Sequence, residues 1–241
     1  MRILVVNDDG IFSSGIVMLA RAAQHFGSVT VSAPAGQRSG MSQHITVHGD
    51  ITVSEVPDFP LSGVRAFQNS GTPADSVRVG MWYAMDAAPD LVLSGINDGF
   101  NTGRDILYSG TVGACKEAVC MGVPAMAFSV GRFAFLDDYE EYLIPLIEDL
   151  LAHPAGENAF WNVNFPKRHK EECKGILTDR APSTGIYFRT KYVPKETGPD
   201  GVPLEIQMTF PERMEEGSDI QAVLDGYISV GKVGHILPSV P

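Results

Sequence analysis

Ile3-Leu4-Val5-Val6-Asn7-Asp8-Asp9-Gly10 is the stretch on which the fold is decided: four aliphatic residues without a break run into two acids and a glycine. An unbroken apolar run of this length suits a strand covered on both faces, as in a parallel sheet. Downstream, Ile16, Leu19, Ala20, Ala23 and Phe26 recur at helical spacing, with Gly27 as a stop, and residues 29–33 form a second apolar run. Strand, loop, helix, strand is the unit of a parallel sheet with a right-handed crossover.

The same alternation continues outward. Residues 45–56 and 64–68 read as strands around a turn at Gly49-Asp50. Thr72-Pro73-Ala74-Asp75 then opens a helix expected to reach about Met85, because Thr caps, Pro fits the first helical position and the third residue is acidic. Residues 91–93 form a short strand, and a Gly- and Asn-rich loop leads to Ser109-Gly110-Thr111, where a helix starts that Gly122 stops. A strand at 125–130, a helix at 137–151 and a strand at 161–166 follow. Residues 187–193 and 204–210 alternate apolar and polar side chains, which predicts a long hairpin, here read as an arm over about 180–212. A short helix at 219–225 and an extended segment at 227–240 complete a C-terminal arm over 219–241. The whole is read as one unit, 1–241.

Composition sets limits on partners. Three cysteines, Cys115, Cys120 and Cys173, offer neither a disulfide framework nor zinc-ligand spacing. A net charge of −11 argues against a long nucleic acid as partner, since such binding depends on Lys and Arg. No run approaches the ~20 apolar residues of a membrane span, and the N-terminus lacks the pattern of a signal peptide. A cytoplasmic chain is the expectation.

In open α/β sheets ligands bind beyond the carboxyl ends of the strands, so the loops there carry the functional reading. Asp8 and Asp9 would repel each other unless a cation lay between them, and hard divalent ions prefer such oxygen ligands. A plain turn at Asp9-Gly10 reads the same residues without a metal. Gly36-Gln37-Arg38-Ser39-Gly40-Met41-Ser42 suits either a phosphate-bending loop or an ordinary flexible one. The stretch 94–105 packs turn-forming and polar residues after a strand, and a loop of that length usually has a function. At its end, Ser109-Gly110-Thr111 can hold a phosphate on free backbone N–H groups, or can simply cap the helix.

Taken together, Val6-Asn7-Asp8-Asp9-Gly10, Ala33-Pro34 with Ser39-Gly40 and Ser42, Gly71-Thr72-Pro73-Ala74-Asp75, and Ser94-Gly95-Ile96-Asn97 through Tyr108-Ser109-Gly110-Thr111-Val112-Gly113-Ala114 closely resemble the SurE nucleotidases, over 1–165. Asn162-Val163-Asn164 and Gly226-Tyr227-Ile228-Ser229 continue the resemblance more weakly. It implies a Rossmann-like three-layer α/β fold with a mostly parallel sheet. The implied activity is hydrolysis of nucleoside 5′- and 3′-monophosphates, with short polyphosphate a further substrate and one Mg²⁺ or Mn²⁺ per subunit. It assigns Asp8, Asp9, Ser39 and Asn97 to the metal, Asp8 and Asp9 to catalysis, and Ser109, Gly110 and Thr111 to the substrate phosphate. Pairing through an exchanged C-terminal arm, giving a homodimer or homotetramer, is also implied. Departures gather late, where Gly231-Lys232-Val233 replaces the usual Thr-Pro-Leu.

Two rivals stand against this reading. An aspartyl-nucleophile phosphatase of the haloacid dehalogenase type needs Asp-x-Asp, which Asn7-Asp8-Asp9-Gly10 does not supply. A non-catalytic nucleotide-binding module of the same fold would bind nucleotide tightly without metal or turnover.

Overall fold

The computed structural model describes residues 1–198 and 201–234. In chain order it comprises β1 (Arg2–Val6), α1 (Ser14–Ala23), β2 (Ser28–Pro34), β3 (Val53–Glu55), β4 (Arg65–Asn69), α2 (Pro73–Val79), β5 (Leu91–Asp98), α3 (Gly110–Cys120), β6 (Ala125–Val130), α4 (Glu140–Ala152), β7 (Ala159–Phe165), β8 (Ile176–Leu177), β9 (Arg189–Pro194), β10 (Leu204–Thr209), α5 (Asp219–Asp225) and β11 (Ile228–Gly234). Among the described residues one sheet has nine strands in the order β3-β4-β2-β1-β5-β6-β7-β11-β8, and β9 and β10 form a separate pair. From β4 to β7 every neighbouring pair is parallel, while β3 and β11 run antiparallel to β4 and β7.

The alternation of β1 explains the layers. Ile3 and Val5 face one core with Ile16 and Leu19 of α1 and Leu143 and Ile147 of α4. Leu4 and Val6 face a second core with Val77 of α2 and Val112 and Ala118 of α3. Each such side chain, fully buried, contributes about 1.5–3 kcal/mol, so a strand apolar on both faces binds helices on both. The strand order turns at β1, with β2 on one side and β5 on the other, which makes the carboxyl ends of β1 and β5 the switch point.

Several sequence expectations need correction. Only Val53–Glu55 of the stretch 45–56 pairs as a strand. Thr46 instead donates its N–H and hydroxyl to Asp75, so its backbone is satisfied without a ladder. The helix from Pro73 keeps its capping box of Thr72 and Asp75 but passes into a wider π-turn at Gly80–Ala84. The expected strand at 91–93 runs on to Asp98, deep into the supposed loop. The hairpin forms, as β9 and β10 in register Tyr192 to Ile206. The C-terminal arm, over its described part, is a component of the main sheet: β11 lies between β7 and β8. Residues 235–241 of that arm lie outside the described residues.

Candidate active site

The loop after β1 is framed by its own asparagine. Asn7, wholly buried, donates its amide to Gly10 O (2.9 Å) and Ser13 Oγ (2.8 Å) and accepts from Gly10 N–H. Gly10 turns the chain at φ +100°, where a side chain is strained. The loop after β2 is tied to this turn by Arg38 N–H donating to Asp8 O at 2.7 Å. It is tied again by Ser42, whose N–H and hydroxyl donate to the carbonyls of Tyr108 and Leu107. Ser39 sits exposed between these anchors.

Asn97 owes its place to an irregularity in β5. Ser94 pairs with Ala127 and Asn97 with Ser129, so three steps along β5 match two along β6, an extra residue of the kind that re-aims side chains beside functional sites. Gly95 permits it, because a Cβ there would lie 2.2 Å from Phe128 O. Asn97 donates its amide N–H to Gly99 O at 2.8 Å, and its carbonyl oxygen accepts no hydrogen bond among the described residues.

The two acids differ. Asp8 is 3% exposed and accepts the Thr111 hydroxyl at 2.6 Å. Burial, and next the charge of Asp9, push it up to about 7. Asp9 is half-buried, accepts Asp98 N–H at 3.1 Å and Gln37 Nε2 at 3.5 Å, and is raised chiefly by burial. Ser109 caps α3 by accepting Val112 N–H at 3.0 Å, which leaves its own proton free to donate. Gly110 lies against Asp8, with a Cβ there only 2.9 Å from Asp8 Cβ.

These elements enclose a cleft of about 830 Å³. Of the residues read from the sequence, Asp8, Ser39, Asn97 and Ser109 line it together, while Asp9, Gly110 and Thr111 adjoin these in the chain without lining it. Thr111, expected beside the phosphate, has its hydroxyl committed to Asp8. The residues fit a hard cation: carboxylate, hydroxyl and an unpartnered amide oxygen converge, and burial of the acids is unfavourable without compensating positive charge. No group of three or more His, Cys, Asp or Glu able to hold a metal occurs among the described residues, so Ser39 and Asn97 would have to complete the set.

Sequence reasoning gave no role to several residues here. Asn101, Asn162, Asn164 and Ser129 form a buried network in which Asn162 and Asn164 donate to Asn101 O (2.8 and 3.1 Å) and Asn101 donates to Ser129 Oγ (2.8 Å). Two asparagines two apart in an otherwise apolar strand share one face, and buried amides need partners; that signal was available. Asp105, Phe188 and Arg189 also line the cleft, and their convergence has no local signature.

The fold and the site define a doubly wound α/β protein with a cleft at the switch point, where Asp8 at the end of β1 meets the N-terminus of α3. The family model for survival protein SurE matches residues 3–184. A protein named 5′-nucleotidase SurE from Carboxydothermus hydrogenoformans is 44% identical over 188 residues, covering 75% of this chain and 70% of that one. One of the same name from Trichormus variabilis is 35% identical over 246 residues, covering 95% and 91%. The crystal structure of the SurE protein from Aquifex aeolicus superposes with a TM-score of 0.83 at 34% identity, covering 99% of this chain and 95% of that one. The chain belongs to the SurE family.

Proposed function

We propose that this protein is a metal-dependent phosphomonoesterase that hydrolyses nucleoside 5′-monophosphates, and also 3′-monophosphates, to nucleoside and phosphate. The observation that carries the reading is the meeting of Asp8, Ser39, Asn97 and Ser109 on one cleft at the start of α3, in a chain similar to proteins named 5′-nucleotidase. Asp8, Asp9, Ser39 and Asn97 would hold one Mg²⁺ or Mn²⁺, whose contribution is to neutralise phosphate charge and polarise the attacking water. Phosphate monoesters are among the slowest substrates to react unaided, so positioning and charge stabilisation carry the catalysis.

The chain's own groups divide the remaining work. Ser109 donates its hydroxyl proton to a phosphoryl oxygen, and the N-terminal turn of α3, beginning at Gly110 and Thr111, adds its dipole. Asp8, on the cleft, or Asp9 next to it in the chain takes the proton from the water on this reading. Thr111 holds Asp8 from behind. Short polyphosphate is a further substrate on this reading. The unit 1–241 acts as a homodimer or homotetramer, which the outward apolar residues of the arm favour. Among the described residues no helix is long and apolar enough to cross a membrane, and a cytoplasmic location is part of this reading.

The test is phosphate release from a panel of nucleoside 5′- and 3′-monophosphates with Mg²⁺ or Mn²⁺, then with excess EDTA. Release that EDTA abolishes is expected. Tight nucleotide binding that needs no metal and leads to no turnover would replace this reading with that of a binding module.

A further inference from the structure

The cleft does not end at the metal and phosphate residues. It continues along the root of the arm, where Phe188 just before β9, Arg189, Thr190 and Tyr192 of β9 and Met208 of β10 line it. Arg189 is the only Lys or Arg among the lining residues, so this wall is chiefly aromatic and aliphatic.

Phe188 lies close to the reacting end. A Cβ placed on Gly99 would lie 3.5 Å from the tip of the Phe188 ring and 3.8 Å from the Asn97 amide nitrogen, so ring and expected metal ligand flank the same glycine. The ring is half-buried and braced edge-on by Tyr187 (centroids 5.0 Å) and Phe210 (5.9 Å). Its backbone is pinned from the catalytic side: Asp105 Oδ2 accepts the N–H groups of Tyr187 at 2.7 Å and Phe188 at 3.2 Å. The root is fixed further by Arg104 N–H donating to Gly185 O, and by Asp219 accepting from both Gly103 and Ser183. An aromatic ring held rigid beside a phosphate-binding end matches one chemical feature that a nucleotide has and a sugar phosphate lacks, a planar base. Stacking of this kind is tolerant of base identity, since every base presents a π-face.

We propose that Phe188 is the stacking wall for the nucleobase, so that the arm serves as a specificity element of its own subunit's cleft. This rests on the phosphomonoesterase reading above and adds its selectivity: nucleotides preferred over baseless phosphate esters, with little discrimination among bases.

The experiment compares AMP with ribose 5-phosphate, using the full chain loaded with Mg²⁺ or Mn²⁺ and its Phe188→Leu, Phe188→Ala and Phe188→Tyr variants. Leu keeps the apolar volume without the π-face, and Tyr keeps both. The ratio of kcat/KM on AMP to that on ribose 5-phosphate is expected to fall about tenfold or more in the Leu and Ala variants, mainly through KM for AMP, and to survive in the Tyr variant. A Leu variant with the unsubstituted ratio, or a parallel fall on both substrates, would overturn the proposal. If the unsubstituted chain turns over neither ester, the phosphomonoesterase reading fails, and the wall is judged by equilibrium binding of the same two molecules. Selective loss of AMP affinity in the Leu variant then supports it, and an unchanged affinity ratio removes it.

Discussion

The Thr111 hydroxyl donates to Asp8 Oδ1 at 2.6 Å, joining the first turn of α3 to the end of β1. Both residues are buried, so the bond orients a carboxylate that water reaches only from the cleft. Thr111→Val keeps the shape and removes the donor. Loss of a partner behind an expected metal ligand costs about 10–100-fold in metal affinity or activity, with about 1–3 kcal/mol of stability. Metal-dependent kcat/KM and a urea midpoint measure the two effects, and Thr111→Ser should recover most of the first. Unchanged activity in the Val variant would show that Asp8 needs no such support.

Gly113 marks how closely α3 approaches the loop that carries Ser39. A Cβ at Gly113 would fall 2.0 Å from Ser42 O, a backbone atom with nowhere to yield locally. Gly113→Ala should therefore push the loop outward and break the bonds from Ser42 to Leu107 and Tyr108. Overpacking costs about 1–3 kcal/mol, while misplacement by about 1 Å can cost about 100-fold in rate. Activity should thus fall far more than stability, as read by turnover against the thermal midpoint. A fall in stability alone would detach Ser39 from the chemistry.

These two contacts also show where sequence reading stops. The β1-α1-β2 unit was legible because Ile3 to Val6 are apolar on both faces and Ser14–Ala23 has a helical stripe, and the capping box at Thr72 was legible because it lies within four residues. The loops bearing Asp8, Ser39 and Ser109 were legible as strand-end or helix-start loops, whereas Asn97, expected on a loop, lies within β5. Thr111 turning inward to Asp8 was not, because its partner is distant in sequence. Thr46 bonding Asp75 in place of a strand neighbour, and β11 entering the sheet beside β7, were hidden for the same reason: each depends on which element lies opposite, and periodicity reports only which face is apolar.

Asp219 predicts a pH dependence of stability. It accepts backbone N–H groups from Gly103, Ser183 and Ile220, yet burial outweighs them and pushes it up to about 6, from 3.8. For an acid raised on folding, stability is fully present below the unfolded value and is lost as pH rises through about 6. The span corresponds to about 3 kcal/mol at most. Denaturant unfolding of the unsubstituted chain and of Asp219→Asn between pH 4 and 7 tests this: the difference in slope should vanish above about pH 7. Parallel curves throughout would mean that Asp219 ionises in the folded protein as it does in the unfolded chain.

The arm carries its own prediction about assembly. Leu204, Ile206 and Met208 alternate along β10 and, with Phe210 just beyond it, are each more than half exposed, as is Tyr192, which pairs with Ile206 across the hairpin. A row of apolar side chains at period two is one face of a strand, and a face left more than half exposed in its own subunit gains free energy by meeting another surface. Leu204 and Ile206 lie off the cleft, so replacing them probes association without touching its lining. Burying such a side chain contributes about 1.5–3 kcal/mol, and Leu204→Glu with Ile206→Glu should weaken subunit association at least tenfold. Light scattering across a dilution series should then show a dimer or tetramer for the unsubstituted chain and a smaller species for the variant. A chain monomeric at all concentrations before substitution would assign the arm to the cleft alone, and an oligomer indifferent to both changes would place its interface elsewhere.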